Sequence, residues 1–455
     1  MDRITGRKFT RLAITVMAMV MLLAVGKASA RAASGGIPGV VANQPGATLL
    51  LPYFEANLAD LNSNNTIISI TNSSATAILG HVIIWTDLSV PVIEFNVYLT
   101  GYDLWRMNIG SFLTTGVMDQ TASAGQDPTD TISPKGQFSQ DINFASCNGN
   151  LPNGPIPAGQ LTGLQNALIG QASVNYGANM CGGINHGDRI ARGYITVDTV
   201  NSCTQLFPGD AGYLAAGGTG VVTNQNVLLG DSFLISVKKN RAVAQPLVSL
   251  IADATNPATS TSGRYTFYGR YDAWTAVDNR EPTSTTFAAR YVNAGSPQGL
   301  NFMNQSTEAV VWRDSKVNQG PFTCGTTPSW YPLSQEQVVL FDEQEHPQEP
   351  TSCTNLPCPK TPGLIPFPGE TQRVSFNSSA FPTSFSEGWV YLDLNTTVTA
   401  AGSNPPVDPA AAQAWVSVLF NQGAGAGGNN NGASWEMGES ATLLDSAESA
   451  NHFAP

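Results

Sequence analysis

Acidic and aromatic side chains that could act on a sugar concentrate in one stretch, RYDAWTAVDNREP, which begins at Arg270. Glycoside hydrolysis needs two carboxylates about 5–10 Å apart around the scissile bond. Asp272, Asp278 and Glu281 supply carboxylates, and the neighbouring aromatic rings can stack on a sugar. One interpretation is therefore a polysaccharide-binding or polysaccharide-active site. Its ligand-binding residues are Tyr271, Trp274, Asp278 and Glu281.

Arginines near the same acids support a structural interpretation instead. Arg270, Arg280 and Arg290 can pair with those carboxylates, as charged groups inside a folded protein ordinarily do. A carboxylate held by a guanidinium loses its freedom to act as an acid or a base. We therefore expect structural ion pairs in this stretch, with the sugar site as the alternative.

The histidines do not predict a catalytic site. A serine hydrolase needs a Gly-x-Ser-x-Gly turn and a histidine held by a carboxylate, and the chain has no such turn. His81 begins a predicted strand, and His346 lies in a polar loop. His186 has Asp188 nearby, but its setting implicates no serine. We interpret each as structural, and we predict no catalytic residue.

One motif has the oxygen spacing that begins a calcium loop: Asp60-x-Asn62-x-Asn64. It lacks the glycine and the distal glutamate that complete such a loop. An Asn-rich turn before a strand at Thr66 is the better interpretation. Calcium is the one metal that this motif could bind, and the sequence predicts no organic cofactor.

Six cysteines follow the N-terminal segment. An even number in an exported chain favours disulfides, for which 15 pairings exist. A zinc site would need four closely spaced ligands, whereas the histidines are scattered and no Cys-x-x-Cys occurs. The disulfide candidates are Cys147, Cys181, Cys203, Cys324, Cys353 and Cys358.

These residues must be positioned mainly by β-strands. Ile93, Phe95, Val97 and Leu99 alternate with polar residues, which is typical of a strand with one buried face. HVIIWT, by contrast, is apolar on both faces and predicts a central strand. Short strands separated by Gly, Asn and Pro turns indicate β-sandwiches. Helices are expected only at Thr162–Ala172 and Asp408–Trp415.

The strands recur in the same order in two halves of the chain, which indicates a duplicated unit. Both copies share Trp-x-Asp endings, at Trp85 and Trp312, although any β-rich chain offers some chance alignments. The sequence predicts an all-β fold of two Ig-like sandwiches, with each tryptophan closing a strand against its own core. The matched segments are TIISITN with TFAARYVN, GHVIIWTD with TEAVVWRD, VIEFNVYL with QVVLFDEQE, RGYITVDTV with EGWVYLDLN and DSFLISV with QAWVSVLF.

The N-terminus has the features of an export signal. Basic residues precede an apolar stretch of about 14 residues, Leu12–Val25, which is shorter than the roughly 20 needed to span a membrane. Ala28-Ser29-Ala30 fits a cleavage site. A retained membrane anchor is the alternative, and we find no second apolar stretch long enough to span.

Composition shifts along the chain predict its domain boundaries. A signal peptide (1–30) and a flexible segment (31–44) precede a first sandwich (45–255) with a loop-rich insertion (119–188). A Thr/Ser/Pro stretch separates it from a second sandwich (264–447), and a tail (448–455) follows.

Composition also limits the partners. Charged residues make up 12% of the 455 residues, and the net charge is −12, against a usual charged share of about 25%. Nucleic-acid binding needs clustered Lys and Arg, and no such cluster follows the predicted signal. The acidic balance also disfavours anionic lipid. Hydroxyl- and amide-bearing side chains must therefore cover much of the surface.

Several runs resemble exported bacterial proteins of uncharacterised function: LLLPYFEANL, LTGYD, YTFYGRY and DNREP. That resemblance covers most of the chain beyond the signal and implies no activity or ligand. We therefore expect a non-enzymatic exported protein, periplasmic, cell-surface or extracellular, that acts as an envelope, matrix, coat or adhesive component. Its candidate partners are itself, other envelope proteins and polysaccharide.

Overall fold

The computed structural model describes residues 44–119, 147, 151, 155–238, 241–253, 266–271, 277–293, 307–348, 366–376, 383–396, 413–422, 435–440 and 442–445. The predicted signal, the C-terminal tail and parts of the insertion lie outside these ranges. The described residues form antiparallel sheets with only two α-helices, so the fold is all-β, as the sequence predicts.

Strands in the first half alternate with short turns, and both helices lie between the fifth and sixth strands. The helix expected at Thr162–Ala172 is confirmed, although it begins and ends four residues earlier. The elements are β1 (Thr48–Asn57), β2 (Asn65–Asn72), β3 (Ile78–Thr86), β4 (Pro91–Leu99), β5 (Leu104–Asn108), α1 (Ile109–Thr115), α2 (Ala158–Leu168), β6 (Met180–Cys181), β7 (Ile190–Val200), β8 (Leu228–Ser236), β9 (Arg241–Pro246) and β10 (Val248–Leu250).

The described part of the second half contains strands only. Ala414 and Trp415, expected at the end of a helix, instead begin a strand, because alternate side chains of that strand enter the core. The strands are β11 (Thr286–Val292), β12 (Glu308–Arg313), β13 (Phe322–Thr323), β14 (Gln337–Phe341), β15 (Pro347–Gln348), β16 (Thr371–Ser375), β17 (Glu387–Asp393), β18 (Ala414–Gln422), β19 (Trp435–Ser440) and β20 (Thr442–Asp445).

Each half folds into one five-stranded sheet and one four-stranded sheet, here called its large and its small sheet. The first large sheet has the order β10-β1-β7-β3-β4, and the first small sheet has the order β5-β2-β8-β9. In the second half the orders are β20-β11-β17-β14-β15 and β16-β12-β18-β19. When β6 and β13 are set aside, the two halves place their strands in the same chain order at the same sheet positions.

This topology corrects three of the five strand matches made from sequence. TIISITN forms β2, whose counterpart is β12, whereas TFAARYVN belongs to β11, the counterpart of β1. Likewise β3 corresponds to β14, so Trp85 in a large sheet and Trp312 in a small sheet are not equivalent. VIEFNVYL forms β4, whose counterpart is β15, so its match with the β14 segment QVVLFDEQE is wrong as well. The matches of β7 with β17 and of β8 with β18 agree with the topology.

The first half has its core between its two sheets. Phe95, Val97 and Leu99 of β4 are buried there, as the alternation predicts, while Ile93 is only half-buried. The opposite face of β4 was expected to be exposed to water, but Asn96 and Tyr98 on that face are buried as well. The two helices close one side of this core. Helix α1 begins after Asn108, whose side chain accepts a hydrogen bond from the Ser111 N–H and so caps the helix.

A second core fills the other sandwich and continues into the junction between the halves. Val338 and Leu340 of β14 are buried in it, together with Leu50 and Ile83 from the far face of the first large sheet. The described residues of both halves belong to one compact unit. Because a single cluster of buried apolar side chains spans both halves, the junction belongs to the protein interior.

Candidate functional site

Aromatic rings from both halves meet at the junction. Trp85 and Tyr194 are cross-strand neighbours whose rings stack with centroids 5.6 Å apart. The connecting segment 266–271 covers them through Tyr271, 5.6 Å from Trp85, and Phe267 stacks on Trp312 at 5.5 Å. Trp85 therefore packs against the other half and not into its own sandwich, which corrects the sequence expectation.

Arg280 is the centre of the first buried charge cluster, called here the Arg280 cluster. Its guanidinium lies 3.4 Å from the Asp198 carboxylate and 3.3 Å from that of Asp278. The Tyr213 and Tyr268 hydroxyls donate to Asp198 at 2.6 and 2.7 Å. These five side chains are at most 1% exposed. Burial alone would lower the pKa of Arg280, but the two aspartates raise it above its usual value.

The Arg280 cluster includes one of the four predicted sugar-binding residues. Asp278 is fully buried, and its second oxygen accepts the Tyr268 N–H at 2.8 Å. Tyr271 is 9% exposed and Glu281 is half-buried. Trp274 lies outside the described residues, so the structure does not test its position. The structure therefore shows Asp278 paired with an arginine, as the structural interpretation of this stretch expects.

Arg270 is the centre of the second buried cluster, the Arg270 cluster. One guanidinium nitrogen lies 3.2 Å from an Asp314 oxygen and 3.0 Å from a Glu370 oxygen. Amides complete the carboxylates: the Gln319 side chain donates to Glu370 at 2.7 Å, and that of Gln413 donates to Asp314 at 3.1 Å. Two carboxylates thus share one arginine in the interior.

Five segments from both halves supply the Arg270 cluster, including Gln413 directly before β18. Ser89, in the turn after β3, donates its hydroxyl to Glu370, which directly precedes β16. Arg270 comes from the connecting segment, and Asp314 directly follows β12. Burial raises the pKa of Glu370 to about 7, although Arg270 opposes the shift. The cluster links the two halves with charged hydrogen bonds that water does not screen.

We expect Glu370→Gln to change how stability depends on pH. Glu370 has an ordinary pKa of 4.5 and a pKa of about 7 when folded, so the folded state holds its proton more tightly. The stability that this proton contributes is fully present below pH 4.5 and is lost as the pH rises to 7, about 3 kcal/mol in all. Urea unfolding across this range should show that the substitution removes this slope.

The comparison with wild type isolates Glu370 from other titrating groups. Burial lowers the pKa of His81 from 6.5, which gives the opposite slope below that pH, and burial raises the pKa of Asp278. Both groups remain in the variant. Parallel stability curves for wild type and Glu370→Gln would show that Glu370 does not titrate differently in the folded and unfolded states.

Arg313 holds three loops beside the Arg270 cluster. It is fully buried, and its guanidinium donates to the Phe367 carbonyl at 2.6 Å, the Leu394 carbonyl at 2.7 Å and the Ser334 carbonyl. Burial lowers its pKa to about 9. Its two terminal nitrogens are bound to backbone carbonyls of the protein's own loops, which is a structural use of arginine.

His186 forms the one partly exposed His–Asp pair that involves a distant partner among the described residues. Its Nε2 lies 2.9 Å from Asp87, which also accepts the Ile184 N–H at 2.9 Å. The neighbour in sequence, Asp188, pairs instead with Arg192 at 2.7 Å. Asp87 lies 99 residues away from His186, and no local pattern could have indicated the pair.

The other histidines have local or internal partners. His81 is buried between the Asn96 side chain at 3.1 Å and the Leu206 carbonyl at 3.0 Å. His346 is exposed and lies 2.8 Å from Asp342. His452 lies outside the described residues. None of these contacts joins a histidine to a serine hydroxyl.

The calcium candidate is an Asn-rich turn. One Asp60 oxygen accepts the Asn62 N–H at 3.2 Å, and the other pairs with Lys238. The Asn64 carbonyl accepts the Asn57 N–H at 2.9 Å. Among the residues that the structure describes, no group of three His, Cys, Asp or Glu side chains could hold a metal ion.

Two disulfides lie within the described residues. Cys147 pairs with Cys203, and Cys181 of β6 pairs with Cys324, which follows β13. Because β6 belongs to the first half and β13 to the second, the latter bond and the β6–β13 strand pair cross the junction. Cys353 and Cys358 lie outside the described residues.

The described helices are all too short or too polar to cross a membrane. The chain matches no known protein family, no curated protein and no solved structure.

Proposed function

We propose that this protein is an exported, non-enzymatic structural or surface-association component. The observation that carries the proposal is the junction, where the Arg280 and Arg270 clusters, stacked aromatic rings and the Cys181–Cys324 bond lock the halves together. The disulfides support an oxidising compartment. The charged groups of both clusters are directed at each other and are buried, an arrangement that supports rigidity and leaves them little access to a substrate.

We further propose that the two Ig-like sandwiches arose by duplication. The equivalent strands β7 and β17 carry Gly193-Tyr194 and Gly388-Trp389. A Cβ at Gly193 would collide with the Trp85 carbonyl oxygen, and one at Gly388 would collide with that of Phe341. In both halves the aromatic residue after the glycine stacks on its cross-strand neighbour: Tyr194 on Trp85 in the first half and Trp389 on Phe341 in the second. The shared strand order and the shared pair of a glycine followed by a stacked aromatic residue support a common origin.

Export and oxidation can be tested in one experiment. The full chain, expressed in a bacterium, should be recovered outside the cytoplasm with its N-terminus at residue 31. Alkylation without reductant should modify at most two of the six cysteines, because two pairs are already bonded. N-terminal sequencing and mass spectrometry measure both results.

The same material tests the absence of catalysis. Incubation with a panel of polysaccharides should release no reducing sugar. Reduced protein with Met1 intact in the cytoplasm would contradict export, and sugar release that Glu281→Gln abolishes would establish the hydrolase alternative instead.

A further inference from the structure

One side of the internal junction is the outer face of the second small sheet, the face turned away from its own sandwich. Val310 of β12 and Leu419 of β18 point outward there and pack against Tyr53 and Val243 of the first half. Leu419 is 1% exposed as a result. This sheet face therefore docks on β-structure within the chain itself.

The first small sheet has a corresponding outer face, turned away from its own sandwich. No described part of the chain covers that face. Strands β8 and β18 have nine residues each, and aligning them end to end places Phe233 where Leu419 lies. Phe233 is 39% exposed, and Leu104 on the edge strand β5 is 56% exposed. The counterpart of a buried docking residue is thus an exposed aromatic ring.

The other side of the internal junction is the outer face of the first large sheet, where Trp85 and Tyr194 are buried under the second half. Its counterpart is the outer face of the second large sheet. Phe341 and Trp389 stack there with ring centroids 4.2 Å apart, and both remain partly exposed. Each side of the internal interface therefore has a counterpart that the described residues leave open.

Charged residues at the internal junction also have counterparts on the two open faces. Arg373 on β16 reaches across the internal junction to Glu55 at 3.1 Å. In the strand alignment above, Arg106 on β5 occupies the position of Arg373, and it is exposed. Glu387 pairs with Val292, the counterpart of Glu55, and places a carboxylate at the receiving face. The two open faces are therefore complementary in charge as well as apolar.

We propose that copies of this protein associate head to tail, with the open face of the first small sheet on the outer face of the second large sheet of the next copy. The contact repeats between chains the packing that joins the halves within one chain. Because the two faces differ, the contact is heterologous and each dimer still presents one free face of each kind. The inference rests on the proposed structural role and names its partner: a second copy of this chain.

Variants of the two faces test the proposal. Phe233→Glu breaks the first face and Trp389→Glu breaks the second, while Leu104→Glu offers another disruption of the first. Val174→Glu, at a residue that is 72% exposed between α2 and β6, is the control. Sedimentation velocity over a concentration series measures association, and near-UV circular dichroism confirms that each variant is folded.

Wild type and Val174→Glu should form dimers and longer species as the concentration rises. Each face variant should associate at least about tenfold more weakly, because central interface side chains dominate affinity. The decisive sample mixes Phe233→Glu with Trp389→Glu: each retains the face that the other lacks, so the mixture should form dimers and stop there.

A wild type that stays monomeric, face variants that assemble like wild type, or a mixture that forms no dimer would each overturn the inference. Monomeric protein that is nevertheless exported and bound to the cell envelope would leave the proposed function in place and refute only the self-association. Binding of a polysaccharide by monomers, lost in Trp389→Glu, would assign the second face to that ligand instead.

Discussion

Arg280→Ala should destabilise the protein by about 3–5 kcal/mol, since removing one partner of a buried ion pair leaves an uncompensated charge. Here the substitution would leave Asp198 and Asp278 together in the interior, where both are fully buried. A loss of this size is a large part of the total stability of about 5–15 kcal/mol that is typical of a domain. Guanidinium unfolding followed by tryptophan fluorescence measures it.

Two matched variants distinguish the effect of losing a buried arginine from the effect of changing the number of charges. Arg290→Ala removes an arginine whose side chain is 70% exposed and paired with Glu343, so it should cost at most about 1 kcal/mol. Asp278→Asn leaves the Arg280–Asp198 pair balanced and should cost less than Arg280→Ala. Equal losses for Arg280→Ala and Arg290→Ala would mean that the Arg280 cluster is not buried.

Trp85→Ala and Trp312→Ala are each expected to cost about 3–5 kcal/mol, the usual range for truncating a large buried aromatic residue. Both side chains are 1% exposed, and Tyr194 contacts both rings, at 5.6 and 6.0 Å. Because they share this neighbour, the double variant should lose less than the sum of the two single losses. Strict additivity would show that the two tryptophans belong to separate cores.

Strand content and sheet class could be predicted because they depend on local patterns. The alternation at Phe95, Val97 and Leu99 identified one buried face of β4. It did not show that Asn96 and Tyr98 on the other face are buried too. HVIIWT was correctly interpreted as a central strand, since β3 lies between β7 and β4. Sequence pattern cannot show which body covers each face, so Trp85 was assigned to its own sandwich although it packs on the other half.

The role of the stretch RYDAWTAVDNREP was ambiguous from sequence for a related reason. Tyr271 beside Arg270, with Asp278 and Arg280 nearby, has the composition of a sugar site and also of a polar junction. Only burial distinguishes the two, and burial depends on strands far away in sequence. The pairing of Asp278 with Arg280 was weighed correctly, whereas Asp198, Asp314 and Glu370 were not anticipated as partners.

The sequence predicts that strands recur in two halves, but three of its five strand matches disagree with the order of the strands in the sheets. The Trp-x-Asp endings matched β3 to β12, because a tryptophan is the most conspicuous residue in a short strand. Hydrogen-bonded sheet order matches β3 to β14 instead. The match anchored on a glycine, Gly193 with Gly388, agrees with the sheet order. In both strands a Cβ at that glycine would collide with a carbonyl oxygen of the neighbouring strand.

The central claim is that the junction joins two repeated sandwiches into one cooperative body. Scanning calorimetry of wild type, Trp85→Ala and Trp312→Ala with their disulfides intact tests it most directly. The structure predicts one transition in each protein, lowered by a similar amount in both variants. Two resolved transitions, with Trp85→Ala lowering only one and Trp312→Ala only the other, would contradict it.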